Sequence, residues 1–370
     1  MLRIQKIALL QFKNYSRFEA NFEQRVVGIC GANGVGKTSL LDAIHYLGLT
    51  KSYFSRHDQL VVQSGQEGFR IEGSVELNGL SSAVACVVRE AGKKEFYLNG
   101  APYEKLSTHI GKFPVVVIAP DDVLLVTGDS KERRSFIDQL LAQVNPVYLQ
   151  SLIRYNRVLL QRNALLKQSD FFANSELSLL DVLDEQLSKE GQTIYETRAE
   201  FLGSFIKLVE ENYRSIAATT SNGATTPPVT ESVSIEYQSQ LKDRPLSELL
   251  RQSRPADQAA QRTTRGIHRD ELQFTLLQQP FRQMASQGQR KSLLFALKLA
   301  QVQVIKEIKG FSPLLLLDDV FEKLDEKRIQ NLLQKVCSDT DGQLFITDTS
   351  AERLGLQLSA LGVPFQLVSL

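Results

Sequence analysis

The sequence predicts an α/β domain that is built from both ends of the chain and interrupted by a mainly helical domain. Near the start, residues 26–47 combine an apolar strand pattern, a glycine-rich loop and an amphipathic helix pattern. Between 130 and 214, apolar residues recur every three or four positions, which indicates helices. Near residue 314, four leucines precede two aspartates, as expected where a buried strand ends.

The individual elements follow from local patterns. Apolar runs and alternation predict strands at 4–12, 26–30, 69–77, 83–89, 113–120, 314–317 and 343–347. Residues 95–100 predict a strand that runs into an Asn-Gly turn, and the α/β pattern returns at 267–277. Pro146 is typical of a helix start, and 288–308 reads as a long helix. The Ser/Thr/Gly/Pro-rich stretch 219–230 predicts a surface loop. We expect three segments, 1–120, 121–265 and 266–370, the outer two forming one split domain.

The glycine-rich loop matches the pattern G-x-x-x-x-G-K-[ST] without a gap. Glycines let backbone N–H groups turn toward a phosphate, and the following helix start adds free donors and partial positive charge. Lys37 is expected to reach the β- and γ-phosphates, and the Thr38 hydroxyl to bind Mg²⁺. The sequence therefore predicts a nucleoside triphosphate site made by Gly31, Ala32, Asn33, Gly34, Val35, Gly36, Lys37, Thr38 and Ser39.

Net charge, cysteine spacing and the lengths of apolar runs limit the classes of protein that this chain can belong to. The net charge of +1 over 370 residues argues against an indiscriminate nucleic-acid binder, although a binding face that forms on assembly is compatible with it. Cys30, Cys86 and Cys337 are widely spaced and form no C-x-x-C pair, which fits a reduced cytosol. Because no apolar run reaches the ~20 residues of a membrane span, we expect a cytoplasmic protein without a membrane partner.

A second motif lies just before the long helix. Ser286-Gln287-Gly288-Gln289 precedes the Asp318-Asp319 pair by about thirty residues. This order resembles ABC ATPases, whose Ser-x-Gly-Gln signature turn addresses the γ-phosphate held by a second subunit. Taken alone, the same residues also describe an ordinary serine-capped helix.

More particular segments resemble the RecF family, bacterial recombination mediators of the ABC/SMC ATPase class. They cover nearly the whole chain: 12–15, 31–41, 119–122, 128–138, 155–163, 266–270, 286–290 and 315–325. The resemblance implies an ABC-type P-loop ATPase head with an inserted helical arm. It also implies DNA repair, replication, recombination and the SOS response as processes, with single-stranded DNA among the ligands.

The resemblance and the chemistry of the side chains assign roles. Thr38 and Asp318 would hold Mg²⁺, and Ser286, Gly288 and Gln289 would contact ATP. Asp319 would orient or deprotonate the attacking water, or else cap the turn beyond the strand. Lys37 and Asp319 are the expected catalytic residues. Because aspartate is one methylene shorter than the glutamate of many ABC enzymes, we expect slow hydrolysis that acts as a switch.

The function implied is an ATP-driven homodimer that clamps gapped or junction DNA and helps to load RecA with RecO and RecR. A transporter subunit is the alternative from the ABC motifs alone, but the helical insertion and Thr347 in place of a switch histidine disfavour it. A long-armed SMC clamp would need sustained heptads. A P-loop nuclease or kinase would need a further acidic cluster.

Several residues keep two interpretations. Thr347 contacts phosphate or water, or is an ordinary strand residue. Lys13 contacts the nucleotide or is solvated. His268 is a hydrogen-bonded packing residue, which we favour, or a subunit or DNA contact. A basic stretch is expected either to contact DNA phosphates, to pair within the fold, or to be solvated: Lys131, Arg133, Arg134, Arg154, Arg157, Arg162 and Lys167.

Overall fold

The computed structural model describes residues 1–89, 92–168, 174–218, 233–319, 333–337 and 341–370, with the side chains of 174–178 and 217–218 excepted. These residues form two compact units. The first is built mainly from Met1–Asp122 and Leu297–Leu370, and the second mainly from Val123–Ser215 and Val229–Ala296. The expected loop at 219–230 and residues 320–325 of the RecF-like segment 315–325 lie outside the described residues.

The first unit contains two sheets. An antiparallel sheet has the order β2-β1-β4-β5-β6-β7. Its strands are β1 Leu2–Phe12, β2 Tyr15–Asn21, β4 Phe69–Leu77, β5 Leu80–Val88, β6 Lys94–Leu98 and β7 Ala101–Pro102. A parallel sheet has the order β14-β3-β13-β12-β8. Its strands are β3 Val26–Cys30, β8 Val115–Ile118, β12 Leu314–Leu317, β13 Leu344–Asp348 and β14 Phe365–Ser369.

Helix α1, Lys37–Leu49, packs against strands of both sheets. Eleven of its thirteen residues are buried, and so are all residues of β3, β8, β12 and β13. Strands buried on both faces carry continuous apolar runs, which is why the sequence signals them clearly. The helix Ala351–Ala360 begins at the Ser350 cap and completes the described part of the unit.

The second unit is mainly helical. Its helices are α2 Leu124–Thr127, α3 Ser130–Val144, α4 Pro146–Leu165, α5 Asn174–Ala218, α6 Leu246–Ala260 and α7 Phe281–Met284. Pro146 starts α4 as predicted, and the Asn145 side chain caps it by accepting from the Tyr148 N–H. The strands β9 Val233–Gln238, β10 Glu271–Leu276 and β11 Gln279–Pro280 form an antiparallel sheet. Helix α8, Gln287–Lys309, begins in this unit and ends in the first.

The compact units divide the chain differently from the predicted segments. The sequence places a boundary at residue 265, whereas the second unit continues to Ala296. The reason is that β10 pairs in register with β9 along its whole length, from Glu271 opposite Gln238 to Leu276 opposite Val233. Sequence alone does not reveal this pairing, because the two strands are separated by α6 and a loop.

Candidate functional site

The site in the first unit lies at the carboxyl edge of the parallel sheet. The glycine-rich loop follows β3, and Asp318 follows β12, with β13 between these strands. Parallel strands end at one edge, so three chain segments far apart in sequence meet there. A cavity of 430 Å³ opens at this edge. It is lined by Lys13, Asn14, Asn33, Gly34, Gly36, Lys37, Thr38, Ser39 and Asp319.

The loop is held in shape from the β1–β2 hairpin. Asn14 donates a hydrogen bond to the Val35 carbonyl over 2.9 Å, and the Tyr15 hydroxyl donates to the Gly36 carbonyl over 3.1 Å. Gly36 has a φ of +118°, and a Cβ there would lie 2.6 Å from the Asn14 amide nitrogen. Only glycine fits this position, because φ is in the left-handed region and a side chain would collide with Asn14 and Tyr15.

Lys37 is buried, with 5% of its surface exposed. Its ammonium donates to the carbonyls of Gly31 and Ala32 over 2.9 and 3.0 Å. These contacts are to neutral acceptors of the same loop. An anion at the loop would offer the ammonium a stronger, charge-assisted partner.

Asp318 is the centre of a second group of contacts. The Thr38 hydroxyl lies 2.9 Å from Asp318 Oδ2, and the Thr347 hydroxyl donates to Oδ1 over 2.9 Å. The carboxylate is 4% exposed, and burial raises its pKa above the usual range. A buried carboxylate beside a threonine hydroxyl is a hard oxygen pair that suits Mg²⁺, whose other ligands would be phosphate and water.

Thr347 also accepts a hydrogen bond from the Asp319 backbone N–H over 2.9 Å. It therefore contacts both aspartates, and Asp319 sits in the left-handed region with a φ of +44°. Thr347 is a fully buried residue of β13, as one interpretation has it, and its hydroxyl also contacts the acidic pair. The strand register explains this, because Leu317 lies opposite Ile346, which places Thr347 beside Asp318. A contact with phosphate or water stays a prediction.

Lys13 is not solvated. Its ammonium lies 2.6 Å from Asp42 and over the Phe54 ring, and its side chain is 17% exposed. Asp42, fully buried on α1, also accepts from the Ser52 hydroxyl and the Tyr53 N–H. Lys13 still lines the cavity, so the interpretation that it contacts nucleotide remains a prediction.

The signature residues lie in the second unit. The Gln289 N–H donates to the Ser286 hydroxyl oxygen over 3.2 Å, and the Ser286 N–H donates to the Gln289 side chain over 2.7 Å. This reciprocal pair is a capping box at the start of α8. The serine-capped helix is therefore present, and Ser286 is exposed with its own O–H left to donate. Its contact with nucleotide, like that of Gly288, stays a prediction.

His268 is confirmed as a hydrogen-bonded packing residue. Its Nδ1 lies 2.8 Å from the Tyr155 hydroxyl and its Nε2 3.1 Å from the Thr263 carbonyl. Burial lowers its pKa to about 4.

Most of the predicted basic face pairs within the second unit. Arg162 is fully buried and lies 2.6 Å from Asp184 and 2.7 Å from Asp257. Arg154 lies 2.7 Å from Glu190. Arg133 contacts Glu271, and Arg134 donates to the Asp270 carbonyl. Of the predicted face, Lys131, Arg157 and Lys167 are exposed.

The positions of the buried arginines on their helices could have indicated that they are buried. Arg162 follows Tyr148 and Tyr155 at intervals of seven, so it lies on the buried stripe of α4. Arg198, which sequence reasoning missed, follows Ile194 by four on the buried face of α5 and contacts Asp138 and Asp270 over 2.7 Å each. An arginine on an apolar stripe predicts a buried ion pair rather than a DNA contact.

Comparison with known proteins agrees with this architecture. The family model described as the RecF/RecN/SMC N terminal domain matches residues 3–366. The "DNA replication and repair protein RecF" of Flavobacterium johnsoniae is 38% identical over 95% of this chain and 95% of its own. The protein of that name from Parabacteroides distasonis is 38% identical over 98% of this chain and 96% of its own. The chain belongs to the RecF family.

Solved structures support the same fold. The chain resembles a structure of "the recombination mediator protein RecF-ATP in RecFOR pathway", with a TM-score of 0.83, 26% identity, and coverage of 94% of this chain and 92% of that one. It also resembles the Smc head domain from Pyrococcus furiosus at 17% identity and a TM-score of 0.52, covering 96% and 92% of the two chains. The predicted ABC-type ATPase fold is thus confirmed. Among the described residues, no helix combines the length and apolar character that a bilayer crossing needs.

Proposed function

We propose that this RecF-family chain is an ATP-dependent recombination mediator of DNA replication and repair. The names of its relatives support this role, and so does the RecFOR pathway named for the solved structure that it resembles. The observation that carries the proposal is the convergence of Thr38, Asp318 and Thr347 beside the glycine-rich loop. The transporter alternative loses support, because the matching family model runs through the helical insertion.

Each side chain has a task at this site. Lys37 exchanges its two carbonyl contacts for phosphate oxygens, and the loop N–H groups bind the same anion. Thr38 and Asp318 would hold Mg²⁺, which when bound neutralises phosphate charge. Asp319 orients the attacking water. Thr347 positions both aspartates, because its hydroxyl donates a hydrogen bond to the Asp318 carboxylate and accepts one from the Asp319 backbone N–H. We expect a weak, DNA-stimulated ATPase.

The signature residues act on a second copy of the chain. Ser286 is exposed at the helix start and, with Gly288 and Gln289, presents donors of the kind that a γ-phosphate accepts. ATP therefore joins two copies, which clamp gapped or junction DNA, and hydrolysis releases the DNA. RecO and RecR are the proposed partners, and RecA loading is the proposed outcome.

The first experiment measures mass by light scattering with no nucleotide, with ADP and with ATP and Mg²⁺. Wild-type chain should shift from monomer toward dimer with ATP and Mg²⁺, and less with ADP. Lys37→Met removes the ammonium and should lower ATP affinity by about tenfold or more, because a hydrogen bond to a charged group contributes about 1.5–3 kcal/mol. Asp319→Asn should keep ATP affinity and prolong the dimer.

Two outcomes count against the proposal. One unchanged mass in every nucleotide state overturns ATP-dependent dimerisation. Equal loss of nucleotide affinity in both variants overturns the division of roles between Lys37 and Asp319. Ser286→Ala is the matched control for the signature: it should bind ATP as wild type does and fail to dimerise.

A further inference from the structure

A cavity of 470 Å³ lies in the second unit, between the middle of α6 and the segments on either side of that helix. It is separate from the nucleotide site, with which it shares no residue. We call it the Arg265 pocket, and it is lined by Gln240, Asp243, Arg244, Leu249, Gln252, Ser253, Ala256 and Arg265.

The backbone that carries Arg265 is fixed on both sides. The Thr264 N–H donates to Asp257 over 2.9 Å, and the Gly266 N–H donates to the Gln240 side chain over 3.3 Å. Asp257 is itself buried and ion-paired with Arg162. The exposed Arg265 side chain thus projects from a preorganised segment, which lowers the ordering cost of any ligand it binds.

The cations at this pocket are weakly compensated. Within the described part of the chain, Arg265 forms no ion pair, and Arg244 has one hydrogen bond, to the neutral Gln252 amide over 3.1 Å. Glu248 is 3.9 Å from Arg244, and Asp243 is the one carboxylate in the lining. The exposed Lys242 and Arg269 belong to the contacting turns 240–242 and 267–269, so the charged side chains in and around the pocket sum to a net positive charge.

This contrasts with the basic face that the sequence predicted, where most arginines already contact carboxylates. Besides the exposed Lys131, Arg157 and Lys167 of that face, cations available to an external anion are found at the Arg265 pocket, where two guanidinium groups line one cavity. Guanidinium groups match phosphate with paired donors, and the two glutamine side chains add neutral donors. Only Leu249 and Ala256 are apolar in the lining, so a peptide would find few places to anchor.

We propose that the Arg265 pocket binds a backbone phosphate of the DNA that this chain holds. The inference rests on the proposed function and assigns part of the DNA contact to the second unit. Gln240 and Gln252 position the sugar–phosphate chain beside the two guanidinium groups. Contacts of this kind position the strand and carry no base information.

The test compares Arg244→Gln/Arg265→Gln with the charge-matched control Arg17→Gln/Arg214→Gln. Both Arg17 and Arg214 are exposed and lie outside the pocket. Binding of the ATP-loaded full chain to a fluorescent gapped duplex is followed by anisotropy over a salt series. The pocket variant should lose affinity about tenfold, and its slope of log affinity against log salt should fall by about 0.9 per lost duplex phosphate contact. The control should keep the wild-type slope.

Each result decides the question. A pocket variant with wild-type slope and affinity overturns the inference and leaves the proposed function intact. Wild-type chain that binds no DNA with ATP overturns both. If poly-glutamate of equal charge competes as well as DNA does, and does so through the same two arginines, the occupant is an acidic protein segment and the assignment to DNA fails. Thermal melting and ATP affinity equal to wild type confirm that the variant is folded.

Discussion

Two buried carboxylates, one in each unit, differ in what surrounds them. Asp318 is 4% exposed and Asp270 2% exposed, and burial raises the pKa of both. Asp318 receives hydrogen bonds from the hydroxyls of Thr38 and Thr347. Asp270 lies 2.7 Å from the Arg198 guanidinium and 2.6 Å from the Tyr237 hydroxyl.

The difference separates a binding carboxylate from a structural one. Hydroxyl groups orient Asp318 without neutralising it, so its charge remains available to a cation from outside the chain. Arg198 neutralises Asp270 and connects α5 to the segment before β10. The Asp270 charge is therefore not available to an external cation. Burial and a raised pKa alone do not identify a functional carboxylate. The side chain that contacts the carboxylate, a neutral hydroxyl or a guanidinium, distinguishes the two cases.

The largest effect is expected at the structural carboxylate. Asp270→Asn removes a negative charge that compensates Arg198, which is fully buried among Asp138, Tyr148 and Asp270. Breaking one side of a buried ion pair costs about 3–5 kcal/mol, and the remaining Asp138 contact favours the lower end. Urea unfolding measures the loss. The exposed Asp243→Asn is the control and should change the free energy of unfolding by less than about 0.5 kcal/mol.

The opposite pattern is expected at the binding carboxylate. Asp318→Asn keeps the shape and removes a buried charge whose hydrogen bonds come from hydroxyls and on which Lys37 acts only electrostatically. The free energy of unfolding without nucleotide should therefore stay the same or rise. ATP affinity in Mg²⁺ should fall by about tenfold or more, because the carboxylate that would hold Mg²⁺ beside the phosphates is lost. Calorimetric titration in Mg²⁺ and in EDTA checks this. A variant that is destabilised as much as Asp270→Asn would erase the distinction.

Sequence reasoning predicted the parallel sheet and the site edge well. Strands 26–30 and 314–317 have the predicted bounds. Strands that are buried on both faces are continuous apolar runs, so their ends are easy to locate in the sequence. The edge strand β14 was not predicted, since it is short and its residues are only partly buried or exposed. The roles of the loop residues follow from spacing, whereas the task of Thr347 required the register of β13 against β12.

Whether an arginine is exposed, ion-paired or buried was harder to predict from the sequence. Arg154, Arg157 and Arg162 look alike in sequence, yet one contacts Glu190, one is exposed and one is fully buried. Helical phase distinguishes Arg162, but the carboxylates that receive it come from 22 and 95 residues away. Long-range pairing of this kind cannot be inferred from one sequence. The Arg265 pocket lies within residues 240–265, but its cavity depends on how α6 packs against the turns on either side, which the sequence does not show.

The smallest expected effect tests whether burial acts alike in the two units. His109 in the first unit and His268 in the second both have their pKa lowered to about 4, chiefly by burial. Each is neutral in the folded chain, so its contribution to stability is present above the unfolded pKa of about 6.5 and is lost as pH falls toward 4. As pH falls from 7.5 to 5.5, each histidine should lower the free energy of unfolding by about 1 kcal/mol.

Replacing either histidine should flatten the pH dependence of the free energy of unfolding by that amount. His109→Gln and His268→Gln are measured by urea unfolding at both pH values, so that any loss of packing common to the two pH values cancels. Equal flattening would mean that the two interiors desolvate charge to a similar degree. The contrast between Asp318 and Asp270 would then come from their partners. If only one variant flattens the curve, the two units differ in burial itself, and the comparison of their carboxylates would have to be made on that basis.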